Sequence, residues 1–210
     1  MYIRKPRTPK EAGQELLRFL NETHPDPEYC NLLMQDHPDF DPAVTDAAGM
    51  TALMSAAFHG QYGIMEYIMD NANPDINARD HNGHTALMHV IQGDRHEGRA
   101  GMVRSLIEAG ADMERESDLG IRPLTAAIFS SDADIVRILL EHHCNITKED
   151  GSGRTPLQQA RNVGRENIVD MIAAEGRRRT TEAFRAEAAK GTNKPRRILR
   201  RKTAPGSATP

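Results

Sequence analysis

Short apolar pairs recur along the chain at a regular interval and predict a row of similar helices. Ile64-Met65 is followed by Ile68-Met69, and the same arrangement returns within residues 102–107, 135–140 and 168–172. These spacings place the apolar side chains in one stripe along a helix. The pattern therefore predicts four equivalent amphipathic helices between residues 64 and 172.

A second motif keeps the same phase and runs from a glycine to a leucine. Its copies are Gly49-Met50-Thr51-Ala52-Leu53, Gly83-His84-Thr85-Ala86-Leu87, Gly120-Ile121-Arg122-Pro123-Leu124 and Gly153-Arg154-Thr155-Pro156-Leu157. The intervals between the leucines are 34, 37 and 33 residues. This period predicts stacked copies of one unit, in which a turn leads into a short first helix and then a second helix.

The repeated unit resembles the ankyrin repeat, whose pattern joins an acidic residue, a glycine and Thr-Pro-Leu-His to a closing Gly-Ala-Asp. Asp46, Asp80 and Asp150 each precede the motif glycine by three residues, and Gly110-Ala111-Asp112 matches the closing element. The resemblance covers residues 46–176 as four repeats. It implies an all-α, ankyrin-type solenoid of helix-turn-helix units with hairpin-like turns, whose aspartates accept hydrogen bonds from local amides.

Some positions depart from the family pattern. Met54, Met88, Thr125 and Gln158 stand where the family has histidine, so the hydrogen bonds of that histidine are lost and a less rigid stack is expected. Arg122 replaces the usual threonine of the third repeat, which predicts a weaker turn there. The 37-residue interval indicates an insertion at residues 93–98, in the loop between two helices.

Four segments are predicted along the chain. Residues 1–10 form a flexible basic arm, and residues 11–45 form a divergent N-terminal capping repeat of two helices, since terminal units of solenoids are commonly atypical. Residues 46–176 are the ankyrin repeats. Residues 177–210 are a basic, largely disordered tail with a short helix at residues 181–190.

The net charge of −3 conceals an acidic body and a basic tail. Residues 11–176 hold 12 basic and 28 acidic side chains, whereas residues 177–210 hold eleven basic and two acidic ones. The densest basic run contains Lys194, Arg196, Arg197, Arg200, Arg201 and Lys202. This run resembles a nuclear-import signal or a nucleic-acid arm. The alternative, given equal weight, is that the tail is solvated or folds back on the acidic body.

No pattern in the sequence indicates catalysis, a cofactor or a metal. His81, His84, His89 and His96 fall within one repeat, but they are divided between the turn, the first helix and the insertion, so convergence on a metal is not implied. The cysteines, Cys30 and Cys144, lie in different units and are expected to be reduced and structural. No apolar run has the length of a membrane span, and residues 1–7 lack the apolar segment of a secretory signal.

The resemblance implies a concave, ligand-facing surface made of the turn tips and the outward side of the first helices. The residues mapped onto it are Ala47, Met50, Phe58, His59, His81, His84, Gln92, Leu119, Ile121, Phe129, Arg154 and Asn162. Five of them are apolar where solvent exposure is expected, namely Met50, Phe58, Leu119, Ile121 and Phe129. Such a grouping favours contact with a protein, and packing on neighbouring repeats is the alternative.

We therefore predict a non-enzymatic module that binds another protein as an adaptor, regulator or inhibitor. The alternatives are a nuclear or nucleic-acid-associated factor, which would bind nucleic acid or an import receptor through the tail, and a substrate-recruiting subunit of an enzyme complex. The expected state is a cytoplasmic monomer with no membrane association, and the nucleus is the alternative location.

Overall fold

The computed structural model describes residues 6, 8–21, 27–93 and 98–191, and this part of the chain forms ten helices. They are α1 (Pro9–Leu20), α2 (Pro27–Asp36), α3 (Ala52–Phe58), α4 (Tyr62–Asn71), α5 (Ala86–Gln92), α6 (Arg99–Glu108), α7 (Pro123–Phe129), α8 (Ala133–Glu141), α9 (Pro156–Asn162) and α10 (Glu166–Gly191). Most of the predicted basic arm, residues 94–97 of the predicted insertion and the tail from residue 192 lie outside the described residues.

The helices pack as consecutive pairs. Within each repeat the first helix lies against the second, as α3 does on α4, α5 on α6 and α7 on α8. Between repeats the first helices form a continuous row, in which α1, α3, α5, α7 and α9 each contact the next. The two helices predicted within residues 11–45 are present as α1 and α2, and they join this stack through α3 and α4.

One hydrophobic core runs through the stack from Ala12 to Ile172. Small side chains such as Ala56 and Ala57 are buried in the first helices, where they allow neighbouring helices to approach closely. Most members of the predicted apolar pairs of the second helices are also buried, for example Ile64 with Met65 and Ile135 with Val136. Since a single pair of helices has too little surface to bury its own apolar face, each repeat depends on its neighbours. Cys30 and Cys144 are both buried thiols.

The turns that precede the first helices are joined to one another by backbone hydrogen bonds. The amide of His81 donates to the carbonyl of Ala48 at 2.9 Å, and the amide of Asp118 donates to the carbonyl of Asn82 at 2.9 Å. The third link runs from the Gly151 amide to the Gly120 carbonyl at 3.2 Å. The chains pass so closely here that a Cβ on Gly151 would lie 2.4 Å from the Leu119 carbonyl oxygen, so this crossing requires glycine.

Arg122 binds the third repeat to the fourth. It is the N-cap residue of α7 and makes no side-chain cap, as expected for a residue that replaces threonine. Its guanidinium is instead buried, with 2% of the side chain exposed, and it donates to the carbonyls of Lys148 and Glu149. Glu116 completes the group, 3.3 Å from Arg122 Nη1 and 2.8 Å from Lys148 Nζ. The lost cap is therefore replaced by a clamp between repeats.

A second buried arginine, Arg99, supports the end of α5. It lies in the first turn of α6 and donates to the carbonyls of Val90 and Ile91, which the end of α5 leaves without helical partners. Its Nη1 also lies 3.4 Å from Asp132 Oδ2, and Asp132 is the N-cap of α8. Arg99 thus connects the second repeat to the third, directly after the predicted insertion.

The chain divides after Ala174 into two compact units. In the second unit α10 continues to Gly191, so the helix predicted at residues 181–190 is part of a longer one. Arg178 lies 2.6 Å from Glu175 and 2.8 Å from Glu182, and Arg179 lies 2.6 Å from Glu175. Pairs three and four residues apart stabilise an exposed helix from within. The division of the chain into four segments stays a prediction.

We expect Arg122→Ala to lower the free energy of unfolding by about 2–3 kcal/mol, because it leaves the Lys148 and Glu149 carbonyls without their donor. Urea unfolding followed by circular dichroism would measure the change. Arg137→Ala is the matched control, since Arg137 is an exposed arginine of the same repeat whose ion pair among the described residues is with Asp134, three residues away. The control should change stability by no more than about 0.5 kcal/mol. Equal losses in the two variants would contradict the clamp.

Candidate functional site

Each repeat turn is organised by its first residue. The amide of Asp80 donates to the carbonyl of His84, and Asp80 Oδ1 accepts the amides of Asn82 and His84, both at 2.8 Å. Asp46 and Asp150 repeat this arrangement, so the predicted bonding of the turn aspartates is confirmed. In each of the three turns, the Oδ1 atom of the aspartate is thus held by two backbone amides.

The second carboxylate oxygen of each turn aspartate faces the residue nine positions later, on the first helix. Gln159 Nε2 donates to Asp150 Oδ2 at 2.6 Å, and His89 Nε2 lies 3.0 Å from Asp80 Oδ2. In the first repeat Asn21 stands between the two positions, donating to Asp46 Oδ2 and accepting from the Ser55 hydroxyl. The third repeat lacks both partners, because serine and alanine occupy positions 117 and 126.

The second repeat brings three potential ligands together. One ligand atom from each of Asp80, His84 and His89 lies within 4.8 Å of the other two. The sequence did not imply a convergence of His81, His84, His89 and His96, yet the structure brings His84 and His89 together beside Asp80. His81 is not part of the cluster, and His96 lies outside the described residues. Asp80 was interpreted only as a turn residue.

The surroundings of this cluster set its charge. Burial lowers the pKa of His89 below its ordinary value, although the neighbouring Asp80 carboxylate acts in the opposite direction. Burial alone would raise the pKa of Asp80, but the hydrogen bonds from the His84 and Asn82 amides outweigh it and lower that pKa. The site therefore holds a neutral imidazole beside an ionised carboxylate at neutral pH.

The apolar residues mapped onto the binding surface differ in exposure. We call the four turns and the outward ends of the first helices the turn-side face; it contains all the residues mapped in the sequence analysis. Leu119 has 76% of its surface exposed and Phe129 has 44%, whereas Met50 and Ile121 are half-buried and pack against the core. Phe58 is also half-buried, and its ring meets the edges of His59 and His89.

The polar residues mapped onto the turn-side face are spread over three repeats. His81, Gln92 and Arg154 are exposed, and His59 and His84 are half-buried. His81 lies against the adjoining turn, where its ring would meet any side chain added at Gly49. The basic tail residues, Lys194, Arg196, Arg197, Arg200, Arg201 and Lys202, lie outside the described part of the chain.

A shallow depression of about 450 Å³ on the fourth repeat contains Arg154 and Asn162, which were mapped from the sequence, and three residues that were not. It is lined by Gly153, Arg154, Gln158, Arg161 and Asn162. Within the described residues, neither the Arg154 nor the Arg161 guanidinium forms an ion pair. The exposed cations are therefore available to a ligand with negative charge. The repeat register aligns Arg161 with the buried Ala57 of the first repeat, so the exposure of Arg161 could not have been inferred from the register.

Comparison with known proteins agrees with this arrangement. The family model described as ankyrin repeats (3 copies) matches residues 20–116 and 95–181. Fem-1 homolog A-like of Mus musculus is 33% identical over 101 residues, which are 48% of this chain and 15% of that protein. BCL-6 corepressor-like protein 1 of Homo sapiens is 28% identical over 117 residues, which are 56% of this chain and 6% of that protein. This chain thus spans only a small part of these two relatives.

A bacterial relative is covered over more of its length. The protein YahD of Escherichia coli (strain K12) is 26% identical over 166 residues, which represent 62% of this chain and 82% of YahD.

These matches and the stacked helix pairs define a repeat solenoid, and the chain belongs to the ankyrin repeat family. The predicted all-α, ankyrin-type fold is confirmed. Ankyrin repeats generally mediate protein–protein interaction and are typically non-enzymatic. Among the described helices, none is both long and apolar enough to cross a membrane.

Gln159→Ala should raise the pKa of Asp150 from about 2 toward its ordinary value of 3.8. Burial raises this pKa, but hydrogen bonds from Ser152, Gln159 and two backbone amides outweigh burial, and the substitution removes one of these donors. Because the pKa is lowered in the folded state, the stability that Asp150 contributes is complete above pH 3.8 and is lost as the pH falls toward 2.

An NMR titration of the Asp150 carboxyl carbon would measure this shift. Gln158→Ala provides the matched control, because Gln158 caps α9 through Thr155 and makes no hydrogen bond to Asp150. An unchanged pKa in Gln159→Ala, or an equal shift in Gln158→Ala, would show that the Gln159 amide does not hold the carboxylate.

Proposed function

We propose that this chain binds another protein through its turn-side face, with Leu119 and Phe129 as the main apolar contacts. The bound protein is regulated, inhibited or brought to a further component, and no covalent bond is made or broken. The exposure of these two side chains is the observation that supports the proposal most directly. Both belong to the third repeat, one at its turn and the other at the end of α7.

The fold itself does not need apolar residues at these positions. The residues equivalent to Leu119 in the other repeats are Ala48, Asn82 and Ser152, and those equivalent to Phe129 include the polar Gln92 and Asn162. The stack forms around all of these residues. The apolar surface that the leucine and the phenylalanine expose to water does not stabilise the fold. A partner that covers this surface would gain the free energy of burying it.

The adjoining fourth repeat favours a partner segment that carries negative charge next to its apolar residues. Arg154 and Arg161 line the depression on this repeat, and the amides of Gln158 and Asn162 supply further polar contacts. Planar guanidinium groups bind carboxylates through paired hydrogen bonds. A segment with an apolar residue followed by aspartate or glutamate would match both repeats.

The double substitution Leu119→Ala with Phe129→Ala should abolish retention of the partner in a pull-down from lysate followed by mass spectrometry. Loss of two exposed anchors weakens binding by at least about tenfold, whereas the fold is retained because neither side chain is in the core. Circular dichroism would check that the variant is folded.

The matched control is Leu32→Ala with Phe184→Ala, which removes one leucine and one phenylalanine of similar exposure from other parts of the chain. It should retain every protein that the unmodified chain retains. The proposal fails if the two double variants lose the same proteins. A chain ending at residue 191 provides a third comparison, and binding lost only in that chain would assign the function to residues 192–210 of the basic tail.

A further inference from the structure

The cluster in the second repeat suggests a function beyond protein contact. We infer that Asp80, His84 and His89 bind a divalent transition-metal ion of the zinc class, through Asp80 Oδ2, His84 Nδ1 and His89 Nε2. The three atoms come from the start of one turn, its end and the first helix that follows, so a single repeat supplies all of them. This inference does not depend on the proposed protein contact.

The distances between these atoms suit such an ion. Nitrogen and oxygen ligands lie about 2.0–2.2 Å from zinc, so two ligands at a tetrahedral centre are about 3.2–3.6 Å apart. Asp80 Oδ2 lies 3.0 Å from His89 Nε2 and 3.7 Å from His84 Nδ1, on either side of this range. The third pair of atoms, from His84 and His89, lies within 4.8 Å, so binding would require the imidazole rings to rotate toward a common centre.

The surrounding structure holds the ligands in place before any ion arrives. The two amide donors on Asp80 Oδ1 direct its other oxygen toward the imidazoles, as groups around a metal site commonly orient its ligands. The Asp80 and His89 side chains are buried, with 3% and 8% of their surfaces exposed. His84 has 20% of its side chain exposed, which leaves a side from which an ion can enter.

The turn does not require histidine at either position. In the fourth repeat Gln159 makes the equivalent bond to Asp150, and the residues equivalent to His84 are Met50, Ile121 and Arg154. A hydrogen bond that closes the turn therefore explains one imidazole at most. The second imidazole and the shared carboxylate oxygen together form a ligand set that the aligned positions of the other three repeats lack.

The chemistry of these ligands selects the class of ion. Two imidazole nitrogens and one carboxylate oxygen suit zinc, cobalt, nickel or copper, whereas magnesium and calcium prefer oxygen ligands alone. A neutral His89 ring can present the lone pair of Nε2 when its proton is on Nδ1, so the ring would exchange its bond to Asp80 for a bond to the ion. Three protein ligands leave a fourth position for water.

Calorimetric titration of the full chain with zinc chloride, after treatment with EDTA and dialysis, would test this inference. One ion should bind per chain, and His84→Ala and His89→Gln should each weaken binding by at least about tenfold. His89→Gln installs the residue that the fourth repeat has at this position, so the turn keeps its hydrogen bond and the fold is expected to remain. The absorption spectrum of bound cobalt(II) would report the coordination geometry. Residues with a purely structural role would not give such a spectrum.

Two control variants separate this site from other histidines. His81→Ala removes an exposed imidazole from the same turn, and the double variant His142→Ala with His143→Ala removes the adjacent pair at the end of α8. Both should bind zinc as the unmodified chain does. The inference is overturned if the unmodified chain binds no zinc, if His84→Ala and His89→Gln bind it equally well, or if either control loses as much affinity.

Discussion

Backbone amides and carbonyls at the turn and loop of each repeat form hydrogen bonds with the next repeat. The whole stack depends on these bonds. The bonds from His81 to Ala48 and from Gly151 to Gly120 keep adjacent turns in a fixed relation. Further along the repeats, Asn77 donates to the Gly110 carbonyl and accepts from the amide of Asp112. Since buried or bridging backbone groups are costly to leave unpaired, these bonds determine the register in which the apolar helices meet.

The repeat pattern could be predicted from sequence because its signals are local and recur in phase. Asp46, Asp80 and Asp150 bond to amides two and four residues away, so their role follows from spacing alone. The roles of Arg99 and Arg122 could not be predicted in this way. Each guanidinium reaches carbonyls at least eight residues away, and whether it does so depends on where a neighbouring element ends. A substitution that removes a helix-capping side chain, as arginine in place of threonine does at position 122, can therefore strengthen the contact between repeats.

The candidate sites show the same limit. Register alone placed Met50, Leu119, Ile121 and Phe129 on one face, but it could not show which of them the neighbouring side chains cover. The convergence of Asp80 with two histidines was missed for a related reason. Because the turn reverses the chain, the residues four and nine positions after Asp80 both approach its carboxylate. Predicting this convergence requires the turn geometry as well as the sequence.

A common turn allows each repeat to carry different chemistry on the same scaffold. The backbone fixes the positions just before and within the first helix, while the side chains there vary without disturbing the stack. The second repeat has His84 and His89 at these positions, the third has Ile121 and an alanine, and the fourth has Arg154 and Gln159. Since most of the core is supplied by other residues, changes here alter the ligand that a repeat can contact while the stack is retained. Ligand specificity can therefore differ from one repeat to the next along a single stack.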